Sequence, residues 1–182
     1  MMVGVVTGCG TAEDTPILHE DGERASGTGA GQQAGFRDAW VVDFQNYGPI
    51  PLGVAFEEAV TASAGLVQEP ENLEGCKTTG IAGGPEDVSL MVVDGRLVRV
   101  DVWNAGVRTR EGAGIGDPEE RIHQLYPGAV EIQPHKYTDG HYLVVTPPTD
   151  SARRLIFETD GGVVRTYRAG VLPEVAWVEG CA

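Results

Sequence analysis

The stretch Ala113-Gly-Ile-Gly-Asp-Pro-Glu-Glu-Arg-Ile-His-Gln-Leu-Tyr-Pro-Gly128 decides the fold, because it is the clearest helix signal in the chain. Asp117 is predicted to be the N-cap, Pro118 the first helical residue and Glu120 the capping-box acid. Pro127-Gly128 ends the helix. Between these signals one apolar stripe recurs at helical spacing, formed by Ile122, Leu125 and Tyr126.

An earlier stretch repeats this pattern. It runs Pro51-Leu-Gly-Val-Ala-Phe-Glu-Glu-Ala-Val-Thr-Ala-Ser-Ala-Gly65, and at an offset of 63 residues Gly53 aligns with Gly116 and Glu57 with Glu120. The repetition predicts a second, similar helix and a tandem organisation of the chain.

Each predicted helix is followed by a β-hairpin. Residues 89–103 turn at Asp94-Gly95, and residues 155–167 turn at Asp160-Gly161, with β-rich arms on both sides of each turn. A further strand is expected before each hairpin, at residues 76–79 and 141–145. The sequence therefore predicts an α+β fold, an antiparallel sheet with helices packed on one face, built from two tandem helix-β-β-β units.

The chain divides into three regions by composition. Residues 1–8 read as the end of a signal peptide, and residues 9–35 are rich in glycine and polar residues and are predicted to be a disordered tether. Residues 36–182 form one globular domain. Its two repeats span about 44–105 and 107–170, and a C-terminal segment closes it.

The chain is acidic, with 27 Asp and Glu against 13 Lys and Arg and a formal net charge of −14. Residues 36–182 retain 22 acids and 12 bases, a net charge of −10. Such a surface repels phosphate backbones and anionic lipid headgroups, so nucleic acid is not an expected partner.

The segment Val6-Thr-Gly-Cys9 resembles the lipobox of bacterial lipoproteins. In that family a signal peptidase cuts before the cysteine, which is then acylated, for example with palmitate. The resemblance implies an exported protein, lipid-anchored in the bacterial cell envelope, at the outer membrane or the periplasmic face. Only eight residues precede Cys9, and none is Lys or Arg. Either the true start lies upstream, with Met1 inside an apolar signal core, or Cys9 is an ordinary exposed cysteine.

If Cys9 is acylated, Cys76 and Cys181 remain as an even pair in an oxidising compartment. The expectation is a disulfide that ties the early part of the domain to its last residues. Two buried free thiols are the alternative.

Short motifs carry a resemblance to a known fold. Leu52-Gly53 followed by Glu57-Glu58-Ala59, and Ile115 to Glu120, resemble the helix starts of β-lactamase-inhibitor-protein-like domains and of SmpA outer-membrane assembly lipoproteins. The first copy departs from the pattern at Val54, where a Thr or Ser cap is usual. The resemblance implies tandem helix-plus-sheet units that bind a partner on the face of the sheet.

Alternation along the hairpins predicts which side chains bind that partner. Met91, Val98, Val100 and Val102 alternate toward the helices, which leaves an outer face of mixed aromatic, aliphatic and Arg character. The predicted partner-binding residues are Leu97, Arg99, Trp103, Arg165 and Tyr167. The alternative is that this face packs against the other repeat, a loop or the segment around Trp177.

The sequence offers no assembled nucleophile, base and orienting group, so we expect no enzyme and no cofactor. His135, Asp139 and His141 are weak candidates for a metal site, although Asp139-Gly140 is also a plain turn signal. The favoured function is a non-enzymatic protein-interaction module, either an assembly factor or an inhibitor, that binds another envelope protein. The alternative is a periplasmic protein that binds a small ligand or a metal.

Overall fold

The computed structural model describes residues 40–181. The predicted signal-peptide end, the tether at 9–35 and the proposed lipidation at Cys9 lie outside the described residues.

The described chain is a mostly antiparallel α+β fold with two α-helices. A two-stranded ribbon, β1 (Asn46–Tyr47) and β2 (Ile50–Pro51), precedes the main sheet. The remaining elements are β3 (Val54–Ala55), α1 (Phe56–Ala62), β4 (Cys76–Thr79), β5 (Val88–Val93), β6 (Arg96–Val102), α2 (Glu119–Leu125), β7 (Val130–Pro134), β8 (His141–Val145), β9 (Arg153–Thr159), β10 (Val164–Val171) and a 3₁₀ turn at Glu174–Ala176. The main sheet has the order β4-β5-β6-β10-β9-β8-β7, and β3 pairs separately with β6.

Both predicted hairpins are present, and the second helix is followed by one strand more than expected. β7 pairs with β8 in register Val130↔Val145 to Pro134↔His141. The sequence of β7 is short and ends in proline, which a sheet tolerates only at an edge, and β7 is the edge strand of this sheet.

The second helix starts without the predicted capping box. Its N-cap is Pro118 and makes no side-chain hydrogen bond. The Asp117 carboxylate instead accepts a hydrogen bond from the Gly114 N–H at 2.9 Å and an ion pair from Arg108 at 3.0 Å. The helix is held by the main chain of its own hairpin. Gly116 N–H donates to Val164 O, and Glu119 N–H donates to Gly162 O at 3.1 Å.

The first helix is held in the same way. Its N-cap, Ala55, has no side-chain hydrogen bond. Gly53 N–H donates to Leu97 O, and Phe56 N–H donates to Gly95 O at 2.9 Å. Gly53 has a φ of 82° and Gly116 a φ of 87°, a conformation that favours glycine before each helix.

Two β-bulges reverse part of the predicted facing of the sheet. Val92 pairs with Leu97 but Met91 pairs with Arg99, so Val98 is an extra residue in β6. In β10, Val164 pairs with Thr159 and Thr166 with Glu158, so Arg165 is extra. An extra residue inverts the inside–outside alternation beyond it. The core therefore contains Leu97 and Tyr167, both predicted on the outer face, and not Met91 or Val98.

Both helices pack on the same face of the sheet. Phe56 and Ala59 of α1 share one apolar core with Ile122 of α2 and with the inward side chains of the central strands. Beyond the helices, the segment before β3 covers this face with a group of buried side chains, namely Trp40, Val42, Tyr47, Ile50 and Leu52. Neither helix among residues 40–181 is long and apolar enough to cross a bilayer.

Candidate partner-binding face

The five predicted binding residues do not form one surface. Leu97 and Tyr167 are fully buried in the core on the helix side, where Tyr167 packs on Phe157, so neither can contact a partner on the outer face. Arg99 lies on the outer face but is 5% exposed. Trp103 is 52% exposed, and Arg165 is exposed and paired with Asp160. Only these last two remain accessible.

A C-terminal segment covers the centre of the outer face. We call residues 173–181 the C-terminal strap. Arg99 donates from Nη1 to Trp177 O at 2.6 Å and to Glu174 O at 3.2 Å, while its Nε lies 2.9 Å from the Asp101 carboxylate. The buried guanidinium is thus neutralised by Asp101 and saturated by the strap. Of the alternatives that the sequence left open, packing against the Trp177 segment is the one observed here.

A second buried arginine holds the same strap. Arg168 is 4% exposed, donates from Nε to Val175 O at 2.7 Å and forms an ion pair with Glu158. Val175 is fully buried and packs against Tyr142, Val144 and Ile156, with Val178 at the margin. The strap therefore has a small apolar core of its own in addition to its polar anchors.

The end of the strap is fixed covalently. Cys76 and Cys181 form a disulfide across a sequence separation of 105 residues, as the sequence predicted. Glu179 is bound by Lys136 at 2.7 Å and by the Tyr137 hydroxyl. A disulfide of this kind indicates an oxidising compartment, and therefore an exported protein.

Beside the strap lies an open depression of about 550 Å³, which we call the outer groove. Its floor is formed by β8 and β9, one wall by β7 and the other by the strap and Leu172. The lining is both apolar and charged, and it comprises Glu131, Gln133, Pro134, Tyr142, Val144, Arg154, Ile156, Arg168, Leu172, Ala176 and Val178. Neither Trp103 nor Arg165 is part of it.

The metal candidates are separated by the sheet. His135 lies on the outer face, where it stacks on Tyr142 with ring centroids 4.5 Å apart. Tyr137 N–H donates to His135 Nδ1 at 3.1 Å, and His135 Nε2 lies 3.4 Å from Glu158, so both ring nitrogens are engaged. His141 lies on the helix side, against Glu119.

Asp139 is exposed in the loop between β7 and β8. Across residues 40–181, no three His, Cys, Asp or Glu side chains converge as metal ligands would. His135 lies across from Gly140, the residue before His141, and neighbouring strand positions point to opposite faces, so the structure does not bring His135, Asp139 and His141 together.

Glu119, His141 and Thr159 form a polar cluster that links α2 to the sheet. His141 Nδ1 donates to Glu119 Oε1 at 2.9 Å, and Thr159 Oγ1 donates to the same oxygen. Burial by itself raises the pKa of the Glu119 carboxyl. The hydrogen bonds from Thr159 and His141, with the charge of His141, outweigh burial and hold the pKa below its ordinary value of 4.5. The carboxylate form of Glu119 thus stabilises the folded state.

Sequence reasoning missed the two arginine anchors and the outer groove. For Arg168 the usable signal was strand alternation, which places it on the face opposite to Tyr167. The bulge at Arg165, which decides the face that each of them occupies, was not predicted. The groove had none, because it depends on β7, which was not predicted, and on the path of the strap.

No protein-family model matches this sequence, and no curated protein matches it. Among solved structures, the uncharacterized protein yfeY from Escherichia coli is similar at a TM-score of 0.45 and 14% sequence identity, over 71% of this chain and 99% of that one. The functional proposal therefore rests on the sequence and the geometry of this chain.

Removing the disulfide is expected to loosen the strap before the sheet. In the double variant Cys76→Ser/Cys181→Ser, residues 177–181 lose their covalent anchor, and the free energy of unfolding falls by about 2–4 kcal/mol because the unfolded chain gains conformational freedom. Hydrogen–deuterium exchange read by mass spectrometry should show the largest loss of protection in the strap, while β6 and β10 lose no more protection than the fall in global stability accounts for. Reduced wild type is the matched control. Equal strap protection in the variant and in oxidised wild type would contradict this role.

The Glu119→Gln variant is expected to be less stable near pH 7, by on the order of 1 kcal/mol, because it removes a charge-assisted hydrogen-bond acceptor. The folded-state pKa of Glu119 is lowered, so its contribution is complete above about pH 4.5 and disappears as the pH falls through the folded-state value. Urea unfolding of wild type and variant at about pH 7 and about pH 3 measures this difference. Glu120→Gln is the control, since Glu120 is a neighbouring acid of the same helix whose carboxylate accepts an exposed hydrogen bond from Gln124 at 3.4 Å. A difference that persists at the lower pH would refute the assignment.

Proposed function

We propose that this chain is an exported, lipid-anchored protein-interaction module of the bacterial cell envelope, without enzymatic activity, that binds another envelope protein at the outer groove. The observation that carries the proposal is the groove itself. It is the part of the outer sheet face that borders open space, while the strap covers the neighbouring part around Arg99.

The composition of the groove favours a protein partner. Tyr142, Val144 and Ile156 border the groove, although Val175 of the strap packs on them and each is at most 8% exposed, and Glu131 and Arg154 add opposite charges to the lining. An apolar centre with a charged margin is the usual arrangement of a protein-binding patch. Leu172, 38% exposed at the wall, offers further apolar surface.

Two features support export and anchoring. The disulfide between Cys76 and Cys181 supports an oxidising compartment, since such bonds persist outside the cytosol. The lipobox-like Val6-Thr-Gly-Cys9 supplies an acylation site, and the residues between Cys9 and the described domain provide the length to hold that domain away from a membrane. The net charge of −14 favours a protein partner over an anionic lipid surface.

We further propose that the domain consists of two copies of one helix-plus-hairpin unit. The glycines before the helices, Gly53 and Gly116, are 63 residues apart, and so are the first helical residues, Phe56 and Glu119. Their acceptors, and the two bulge residues, correspond at an offset of 67, which pairs Gly95 with Gly162, Leu97 with Val164 and Val98 with Arg165. Equivalent main-chain bonds and equivalent bulges support a duplication, of the kind that the inhibitor-like and SmpA-type domains suggest, with β7 as an addition to the second copy.

The alternative function is a periplasmic protein that binds a small ligand or a metal through His135, Asp139 and His141. Its metal form has no geometric support, since His135 and His141 occupy opposite faces of the sheet. A titration of the purified protein with zinc that gives a dissociation constant below about 1 mM would support the metal-binding alternative.

The groove is tested by substitutions at two of its lining residues. We expect Leu172→Asp and Arg154→Ala to lose, by roughly tenfold or more, an envelope protein that the wild-type domain retains. Pull-down from envelope extract followed by mass spectrometry measures the loss. The matched controls are Trp103→Ala and Arg165→Ala, exposed predicted residues outside the groove. Loss in the control pair alone would move the interface to the predicted patch, and identical partners in all four variants would remove the sheet face from consideration.

Anchoring is tested at the cysteine. When the protein is expressed from its natural gene, Cys9→Ser is expected to abolish its labelling by palmitate, because the acylated thiol is lost. Thr7→Ser preserves the small residue of the lipobox and serves as control. Palmitate labelling that survives Cys9→Ser, or its absence from wild type, would refute lipid anchoring.

A further inference from the structure

The main-chain groups of β7 point away from the sheet at alternate residues. His135 N–H donates to Gly140 O, and Thr146 N–H donates to Ala129 O. These two bonds fix the phase of the β7–β8 ladder, so that the odd-numbered residues of β7 bond to β8. The N–H and C=O of Val130 and Ile132, and the C=O of Pro134, consequently face outward from the edge.

The opposite edge of the sheet is partly closed by the chain itself. Gln68 N–H donates to Gly80 O at 3.0 Å and Ala82 N–H donates to Leu66 O at 2.8 Å, directly after β4. The Thr79 hydroxyl also donates to Gln68 O at 2.6 Å. Within the described part of the chain, β7 is thus the edge with the longer open row of main-chain groups, and an open edge accepts an additional strand.

The side chains of β7 indicate which residues an added strand should contain. Ile132, 52% exposed, lies opposite Leu143 and faces the helix side, while Glu131 and Gln133 face the outer groove. A strand added to β7 would place one alternate set of side chains beside Ile132 and the other beside Glu131. Apolar residues suit the first set, and basic or polar residues suit the second.

Charge argues against a second copy of this chain as the occupant. Residues 36–182 carry a net charge of −10, and two copies joined at β7 would bring their Glu131 side chains and their acidic surfaces together. A basic segment gains from the same charge. The edge therefore favours a partner opposite in charge to this domain.

We propose that β7 is a strand-addition site for an extended segment of the partner in which apolar residues alternate with Lys or Arg. The added strand pairs with the outward groups of Val130 and Ile132 and carries the partner chain into the outer groove. The inference rests on the proposed function and specifies the partner of that same face.

The probe is a capped synthetic peptide of about eight residues, the length of an ordinary strand, in which Val and Thr alternate with Lys. Isothermal titration with the disulfide-bonded domain measures the dissociation constant, and ¹⁵N NMR locates the contact. We expect chemical-shift changes and slowed amide exchange at Val130 and Ile132. A peptide with Glu in place of Lys is expected to bind at least about tenfold more weakly, because its charge has the sign of the domain.

Ile132→Pro separates strand addition from simple charge attraction. It removes an outward N–H that β8 does not use, and an edge strand tolerates proline there. Ile132→Thr is the matched control, since it retains the N–H and the β-propensity. We expect Ile132→Pro to weaken peptide binding by roughly tenfold and Ile132→Thr to change it by less than about threefold. Circular dichroism verifies that both variants fold.

Equal binding by the Ile132→Pro and Ile132→Thr variants, equal affinity for the Glu peptide, or dimerisation of wild type through β7 in sedimentation would each overturn the inference. If the Lys peptide fails to bind while Leu172→Asp still loses its envelope partner, the strand-addition site is wrong and the proposed function stands. If the peptide binds at β7 but no groove variant affects any partner, the strand-addition site stands and the proposed function is wrong.

Discussion

The pairing of β6 with β10 is the contact on which the rest of the structure depends. It joins the two hairpins into one sheet, from Tyr167 opposite Val102 to Gly170 opposite Arg99. The approach is close at its end, since a Cβ on Gly170 would lie 2.3 Å from Val98 O. Only glycine allows the bulge at Val98 and the neighbouring strand to coexist. The two helices share a core because this seam makes their hairpins continuous.

The same seam explains why the strap belongs to the fold. It places Arg168 opposite Asp101, and with Arg99 and Glu158 this gives two arginines and two carboxylates on one buried surface. The charges cancel, but a guanidinium has more donors than one carboxylate can accept. The strap supplies the remaining acceptors as main-chain carbonyls. Because the strap also shields these donors from water, leaving them unpaired beneath it would be costly in a region of low dielectric. The free part of the outer face therefore lies to one side, at the groove.

The sequence predicted the elements better than the faces. Two helices and two Asp-Gly hairpins follow from local signals that act within a few residues. The disulfide follows from the pair of cysteines that remains if Cys9 is acylated. The misplacement of Leu97 and Tyr167 has one cause, because a single extra residue in each strand inverts the alternation and leaves no mark in the composition. The grouping of His135 with His141 failed for a related reason. Pro134 pairs with His141, so His135 lies across from Gly140 and faces the other way. In each case the face that a side chain occupies depends on the register between two strands, which local sequence patterns do not specify.

The junctions at Gly53 and Gly116 determine how freely this architecture can vary. Each of these glycines precedes a helix whose first N–H groups are bound by carbonyl oxygens of the hairpin. Every residue has a main-chain carbonyl, so apart from the glycine this junction does not depend on the identity of the surrounding side chains. Glu57 and Glu120 are released from capping and can be exchanged for other polar residues. Two chains, or two halves of one chain, can thus drift until almost no letter agrees while the junction keeps its shape. In such a fold, main-chain geometry can be conserved after sequence similarity is lost.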